Sequence, residues 1–486
     1  MKYAIISWTP RNEFVYHCYL GNTQTTSHGK PINHRKLNQG NVMAILNLNR
    51  SKSNQVLVSN ERYIPGGVVS IVRKTEPAIA FTRGQGAYLW DVDGNRYLDY
   101  HAAFAPMVLG HNDPYVNEAV QKVVSSGSSL YGSGSNELDG QLAEMLCTHV
   151  PAAEMVEFLN TGTEASMASV RLARACTGRD HVIVMQGGFN GSHNDVACNV
   201  LTPLDKIGSR VSPGEYPFVP LGPGIPESHA QLVHVINFND LDSVRYVCDR
   251  YDVAALVTEP ILQNIGIMKP KSGYLEGLRK LADEYGFVLI FDEVKTGFRY
   301  SLGGYSQVSG VQPDLVYFAK AVANGYPFSV LGGKKDLMAQ FAHPDPSRQP
   351  ICSGTYNGHP IPVTAAIATL ERLLEGDCQI YRQLESLGQQ CQTGIEEILR
   401  SRGITGTVAR QGSAFCIYLM DHSPVDWHDL AENHDFKADV ALRQAMVNKG
   451  IYFFPVATKQ CSISAAHTES DIADTLETLD SIMAEL

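Results

Sequence analysis

"VLIFDEVKTGF" occupies residues 288–298 and joins an apolar run to a burst of charge. Val288 to Phe291 reads as a short strand buried on both faces, the pattern of a covered parallel sheet. The run ends in two adjacent carboxylates, Asp292 and Glu293, with Lys295 close behind. Comparable apolar runs recur at "MVEFLN", "HVIVMQ", "VAALVTE" and "DLVYFA". Helical spacing fills the intervals, as in "EASMASVRLARAC" and "LEGLRKLADEYG". This alternation between about residues 110 and 350 predicts an α/β protein with a mostly parallel sheet and helices on both faces. Ligands of such sheets bind at the carboxyl ends of the strands, which is where Asp292 falls. A solvated loop start would also accommodate an Asp-Glu pair, so the rest of the chain has to decide between the two.

The chain of 486 residues can bury a large core and more than one domain. Its 39 basic and 50 acidic side chains give a net charge of -11, which disfavours nucleic acid as a partner and offers no polybasic membrane patch. No apolar run reaches the length of a membrane span. The ten cysteines are scattered singly, without zinc-ligand spacing, and no metal site is expected. With no secretory leader apparent, the expected setting is reduced and cytoplasmic.

Residues 1–42 are polar, lack a sustained period and read as a disordered extension, with Met43 as an alternative start. Residues 43–100 form an N-terminal segment expected to pack with a small domain, and "AYLWDVDGNRYLDY" within them reads as a hairpin around Asp93-Gly94-Asn95. Residues 101–355 make the large domain, and 356–486 a smaller α+β C-terminal domain. A Pro/Gly-rich stretch at 202–230 is expected to be a lid or disordered. "VTAAIATLERLLEG" predicts a helix stopped at Gly376, and Thr468 with Asp471 opens a C-terminal helix through a capping box.

Two strand ends carry the chemistry. In "FLNTGTEASMAS", a strand closes at Asn160 and a Thr161-Gly162-Thr163 turn starts a helix. Free N–H groups and the helix dipole there suit a phosphate, although a capped helix without ligand has the same appearance. The turn has no Lys-Ser/Thr ending, so a nucleotide triphosphate is not indicated. A buried Asp292 would need a cationic or proton-donating partner. A phosphorylated heteroaromatic with a basic ring nitrogen, pyridoxal phosphate, meets both requirements and needs a lysine for its aldehyde. Lys295 and Lys320 are both candidates by spacing. Lys320 closes the run "DLVYFAK" at another strand end, whereas Lys295 lies too near Asp292 to reach across the cofactor easily, so Lys320 is preferred.

The motifs "YIPGGVVSIVR", "GAYLWDVDGNRYLDY", "PMVLGH", "NTGTEA", "RLARACTGRD", "EPILQN", "DEVKTGFR", "FAK", "SGTYNGHP" and "SAAHT" together resemble the class III pyridoxal-phosphate aminotransferases of fold type I. Within that class the chain is most similar to the glutamate-1-semialdehyde 2,1-aminomutases, from about Tyr63 to the C-terminus. The resemblance implies that Gly162 and Thr163 bind the cofactor phosphate, that Phe189 and Val294 face the two sides of its ring, and that Asn264 meets the phenolic oxygen. Asp292 would pair with the ring nitrogen and Lys320 would carry the Schiff base. Thr355 would reach the phosphate of a neighbouring subunit, which implies a homodimer. Ser70 and Arg73 correspond to substrate-carboxylate contacts. Phe104 stands where the aminomutases have Trp, Asn190 where they have His, and Lys459 where they have an acidic residue. These departures favour an aminotransferase acting on an amino acid or similar amine and a keto acid or aldehyde. The aminomutase reaction and amino-acid racemisation are the alternatives on the same scaffold, and a non-catalytic relative would be expected to lack Lys320.

Overall fold

The computed structural model describes residues 48–485; the extension at 1–42 lies outside the described residues. The strands in chain order are β1 Phe81–Gln85, β2 Tyr88–Asp91, β3 Arg96–Asp99, β4 Met155–Leu159, β5 His181–Met185, β6 Val233–Ile236 and β7 Val253–Thr258. They continue with β8 Val288–Asp292, β9 Leu315–Ala319, β10 Ser329–Gly333, β11 Thr407–Gln411, β12 Ala414–Tyr418, β13 Ile451–Tyr452 and β14 Cys461–Ser462.

A seven-stranded sheet in the order β4-β10-β9-β8-β7-β5-β6 forms the centre of the large domain. The five strands from β5 to β9 run parallel, and β7, β8 and β9 are buried along their whole length. Such strands have both faces covered, which is why they read as unbroken apolar runs rather than alternating ones. The one reversal is β10, antiparallel to both β9 and β4. The connection 320–328 is too short for a crossover helix to bring the chain back in parallel, so it returns antiparallel. Helix Gly162–Thr177 packs on the sheet and ends at Gly178, whose φ of 68° is the left-handed cap that glycine adopts without strain.

β2 and β3 form the expected hairpin. β3 then pairs in parallel with β13 from the far end of the chain, tying the N-terminal segment to the C-terminal region. A three-stranded sheet, β11-β12-β14, lies within that region. The helical stretch Pro360–Arg402 is broken where Gly376 was expected to stop it: Glu375 to Cys378 leave helical geometry, Gly376 at φ 57°, and a second helix follows directly. Segment 202–230 carries two short helices, Leu204–Ile207 and Glu227–Ala230, and is anchored between them. Buried Tyr216 bonds through its N–H to the Val235 carbonyl at 2.8 Å, and Arg210 pairs with Asp426 at 2.7 Å. Helix Glu469–Glu485 begins with the reciprocal Thr468–Asp471 cap, its bonds 3.2 and 2.8 Å long. Among the described residues no helix is long and apolar enough to cross a membrane, and nine cysteines are unpaired.

Candidate active site

The carboxyl ends of β5, β7, β8 and β9, together with that of β4, open at one edge of the large sheet. Asp292 is the last residue of β8 and is buried. Its Oδ2 accepts from Asn190 Nδ2 at 2.9 Å and its Oδ1 from the Val294 N–H at 2.9 Å. Neither donor is a cation. Burial, with the Glu259 carboxylate nearby, pushes Asp292 up to about 7 despite those two bonds. A desolvated carboxyl held in this way would be relieved by a protonated ring nitrogen.

Lys320 follows β9, the strand beside β8, and adopts φ 53°, a left-handed conformation unusual for a lysine. Such strain persists where the surroundings over-determine the backbone and clusters at functional positions. Burial holds its amine below the ordinary lysine range, against the pull of Asp292 and Glu259. A neutral amine is the form that condenses with an aldehyde.

Helix Gly162–Thr177 starts at the end of β4 with a capping box between Thr161 and Glu164. The cap takes the Glu164 N–H, so the N–H groups of Gly162 and Thr163 have no acceptor within the helix. A Cβ on residue 162 would sit 2.9 Å from the Val294 side chain, so glycine is what lets the helix start approach the loop after β8. Thr163 Oγ1 accepts from the Ser192 N–H at 3.2 Å, which joins the loop after β5 to the same point. Phe189, in that loop, is 37% exposed although its neighbours are buried, a ring face available to a planar ligand.

Two residues that sequence reasoning did not place in the site organise it. Glu259, just beyond β7, accepts from the Phe189 N–H at 3.0 Å, Asn264 Nδ2 at 3.0 Å and the Gln263 N–H at 2.9 Å. Its signal was the one that revealed Asp292, an acid closing a buried apolar run. Asn190 is the other, noted only as a departure from the family pattern. Glu293, by contrast, faces away from this cluster. It accepts from Thr296 Oγ1 and from the N–H groups of Tyr305 and Ser306, and so caps helix Gly304–Ser309.

Asp292, Val294, Phe189, Asn264, Lys320, Gly162 and Thr163 thus gather at one end of the sheet. Lys459 joins them from the C-terminal region, its Nζ donating to the Asn264 carbonyl at 2.7 Å. Phe104 packs with Phe454 and His101. Ser70, Arg73 and Thr355 are not brought into this cluster within one chain. Arg73 is exposed and lines a surface cleft with Ser53, Asn60 and Lys74, and Thr355 lies in an exposed loop. The residues fit pyridoxal phosphate: an anion-ready helix start, an exposed aromatic face, a desolvated carboxyl and a half-buried amine.

Residues 70–483 match the family described as Aminotransferase class-III. The chain is 37% identical over 433 residues to a glutamate-1-semialdehyde 2,1-aminomutase of Desulforudis audaxviator (strain MP104C), covering 88% of this chain and 96% of that protein. Among solved structures it resembles an omega-transaminase from Sphaerobacter thermophilus, with a TM-score of 0.81 and 28% identity over 90% of this chain and 98% of that one. A transaminase with PLP bound matches with a TM-score of 0.78 and 27% identity, over 90% and 98% of the two chains.

Proposed function

The chain belongs to the class III aminotransferase family, and from that premise we propose that it is a pyridoxal-phosphate enzyme moving an amino group between an amino acid or similar amine and a keto acid or aldehyde. The observation that carries this reading is Asp292, buried at the end of β8 with no cation hydrogen-bonded to it, one strand from Lys320. When bound, the cofactor supplies an aldehyde that condenses with amines and a ring that accepts the electron pair released at the substrate carbon.

The chain's own residues do the rest. Asp292 holds a proton on the ring nitrogen, and Asn190 and the Val294 N–H fix the orientation of its carboxylate. Lys320 would hold the cofactor's aldehyde and, as a free amine, would move a proton at the substrate carbon. Gly162 and Thr163 take the phosphate at the helix start, and Phe189 and Val294 hold the ring between them. Asn264 is assigned to the phenolic oxygen, steadied by Glu259. Thr355, on a loop with exposed Ile351 and Tyr356, is assigned to the phosphate in a second copy of the chain. Ser70 and Arg73 keep their assignment as carboxylate contacts from the exposed N-terminal segment, and Phe104 its assignment to the substrate wall.

Borohydride reduction of the yellow protein followed by peptide mapping is expected to find the cofactor on Lys320. Recovery of the label on Lys295 would refute the assignment. The aminomutase reaction is the second reading, favoured by the identity to those enzymes. Transfer would release a carbonyl product, whereas the mutase would retain one molecule throughout. A single-turnover assay for free carbonyl product separates the two.

A further inference from the structure

Lys295, which the proposed chemistry does not use, is 8% exposed and forms no ion pair among the described residues. Its Nζ makes one hydrogen bond, to the Gln263 carbonyl at 2.9 Å. The next carbonyl along the chain, that of Asn264, takes Lys459 Nζ at 2.7 Å, again with no carboxylate partner. Consecutive carbonyls therefore hold two lysine amino groups, one from the loop after β8 and one from the C-terminal region, near enough for the Lys459 charge to act on Lys295. Each ammonium has three N–H donors and uses one.

The surroundings do not neutralise them. Glu259 is the nearest acid, and its oxygens already accept from Phe189, Gln263 and Asn264. Arg299, also buried, bonds to the Ala105 carbonyl and to Ser413 Oγ, not to an acid. Arg443 is matched by Asp439, at 2.6 Å. Burial and the Lys320 charge drive the Lys295 amine well below its usual range, and burial with Arg443 brings Lys459 down to about 8. Amines held down in this way are favoured in their charged form once an anion is placed beside them.

The position of Lys459 is itself enforced. The residue before it, Thr458, is buried at φ 58°, a left-handed conformation that β-branched residues seldom adopt. Its N–H is held by Asp439 Oδ2 at 2.6 Å, and Asp439 is fixed in turn by Arg443 and His434. A lysine that merely pointed to solvent would need no such support.

We propose that Lys295 and Lys459 together form a carboxylate-binding subsite beside Lys320, which selects substrates carrying a carboxylate. This rests on the reading of Lys320 and Asp292 as the cofactor site and names a substrate contact within it, separate from Arg73. The two unused N–H groups on each ammonium match the two oxygens of one carboxylate.

The test uses the full-length, cofactor-loaded protein, with glutarate as probe and its uncharged diamide as control, in calorimetric titration and thermal-shift assays. Glutarate is expected to bind and to raise the melting temperature, and the diamide to do neither. Lys295→Met and Lys459→Met should each weaken glutarate binding about tenfold or more, the scale of a lost charged hydrogen bond. Lys295→Met should also melt at a higher temperature than the parent without ligand, because it replaces a desolvated amine, held by one hydrogen bond, with an apolar side chain of similar length. A purely structural lysine would lower it. Glutarate affinity that is equal in both variants and the parent, or equal to that of the diamide, overturns the proposal. Failure to take up pyridoxal phosphate, seen as absent absorbance and no borohydride label, would instead refute the underlying cofactor reading.

Discussion

Asp292 carries the most testable electrostatics in the molecule. In the cofactor-free protein its carboxyl is raised from 3.8 to about 7. Between those values the folded protein binds more protons than the unfolded chain, so this group's contribution to stability falls as pH rises through that window. Asp292→Asn should flatten that part of the curve and leave the cofactor-free protein more stable than the parent at pH 8. Melting temperatures of both proteins across pH 4–8 check this, and parallel curves would show that other groups set the slope. Asp292 and Lys320 were legible in the sequence because each closes a buried apolar run. Their partners were not, since the Asn190–Asp292 bond spans 102 positions and Phe189–Glu259 spans 70. Pairings of that range depend on strand order, which no local pattern encodes.

Among the elements, the turn after β3 stands out. Ala102, Ala103, Phe104 and Ala105 all have positive φ, from 49° to 82°, closed by a bond from the Ala105 N–H to the His101 carbonyl at 3.1 Å. One left-handed turn of four residues with side chains is unfavourable at each step. Arg299, in the loop after β8, bonds to the Ala105 carbonyl and so ties the turn to the site. Ala103 is exposed, so Ala103→Gly loses no buried methyl and should stabilise the protein by about 0.5–1 kcal/mol, measured by denaturant unfolding. An unchanged or lower stability would mean that the turn is not strained. Nothing in "HAAFA" signals this turn, since it lacks the glycines that usually mark one. The hairpin at Asp93-Gly94-Asn95 and the Thr468 cap were legible because turn and cap chemistry are local. The break at Gly376 was legible for the same reason, whereas the helix that follows it directly, tied to the C-terminal helix by Arg402–Asp480, was not.

At the scale of the whole molecule, two groups among the exposed apolar side chains bear on assembly. Tyr63, Val69, Ile71 and Val72 project from the N-terminal segment, and Ile351 and Tyr356 from the loop that carries Thr355. Exposed apolar groups concentrated like this mark interaction surfaces, and we assign them to a second copy of the chain. Light scattering should give twice the chain mass of 53.2 kDa. Tyr356→Asp should shift the protein towards monomer and lower its affinity for pyridoxal phosphate at the same time. Thr355→Ala should keep the dimer and weaken cofactor affinity about tenfold, the effect of one hydrogen bond to a charged group. Cofactor affinity that does not depend on association state would remove Thr355 from the site. The α/β class was legible because buried strands and amphipathic helices leave separate periodicities, whereas the reversal at β10 leaves none.

That reversal bears on how the protein is made. β4 is an edge strand whose only neighbour in the sheet is β10, with Met155 facing Gly333 and Leu159 facing Ser329. On the ribosome, β4 emerges long before its partner. For the interval in which residues 160–328 are synthesised, it is an unpaired strand edge of the kind that recruits wrong neighbours. The turn at Thr161–Thr163 that follows β4 is held in the sheet only once β10 has been inserted between β4 and β9. Nascent chains released early would therefore expose an unpaired strand edge.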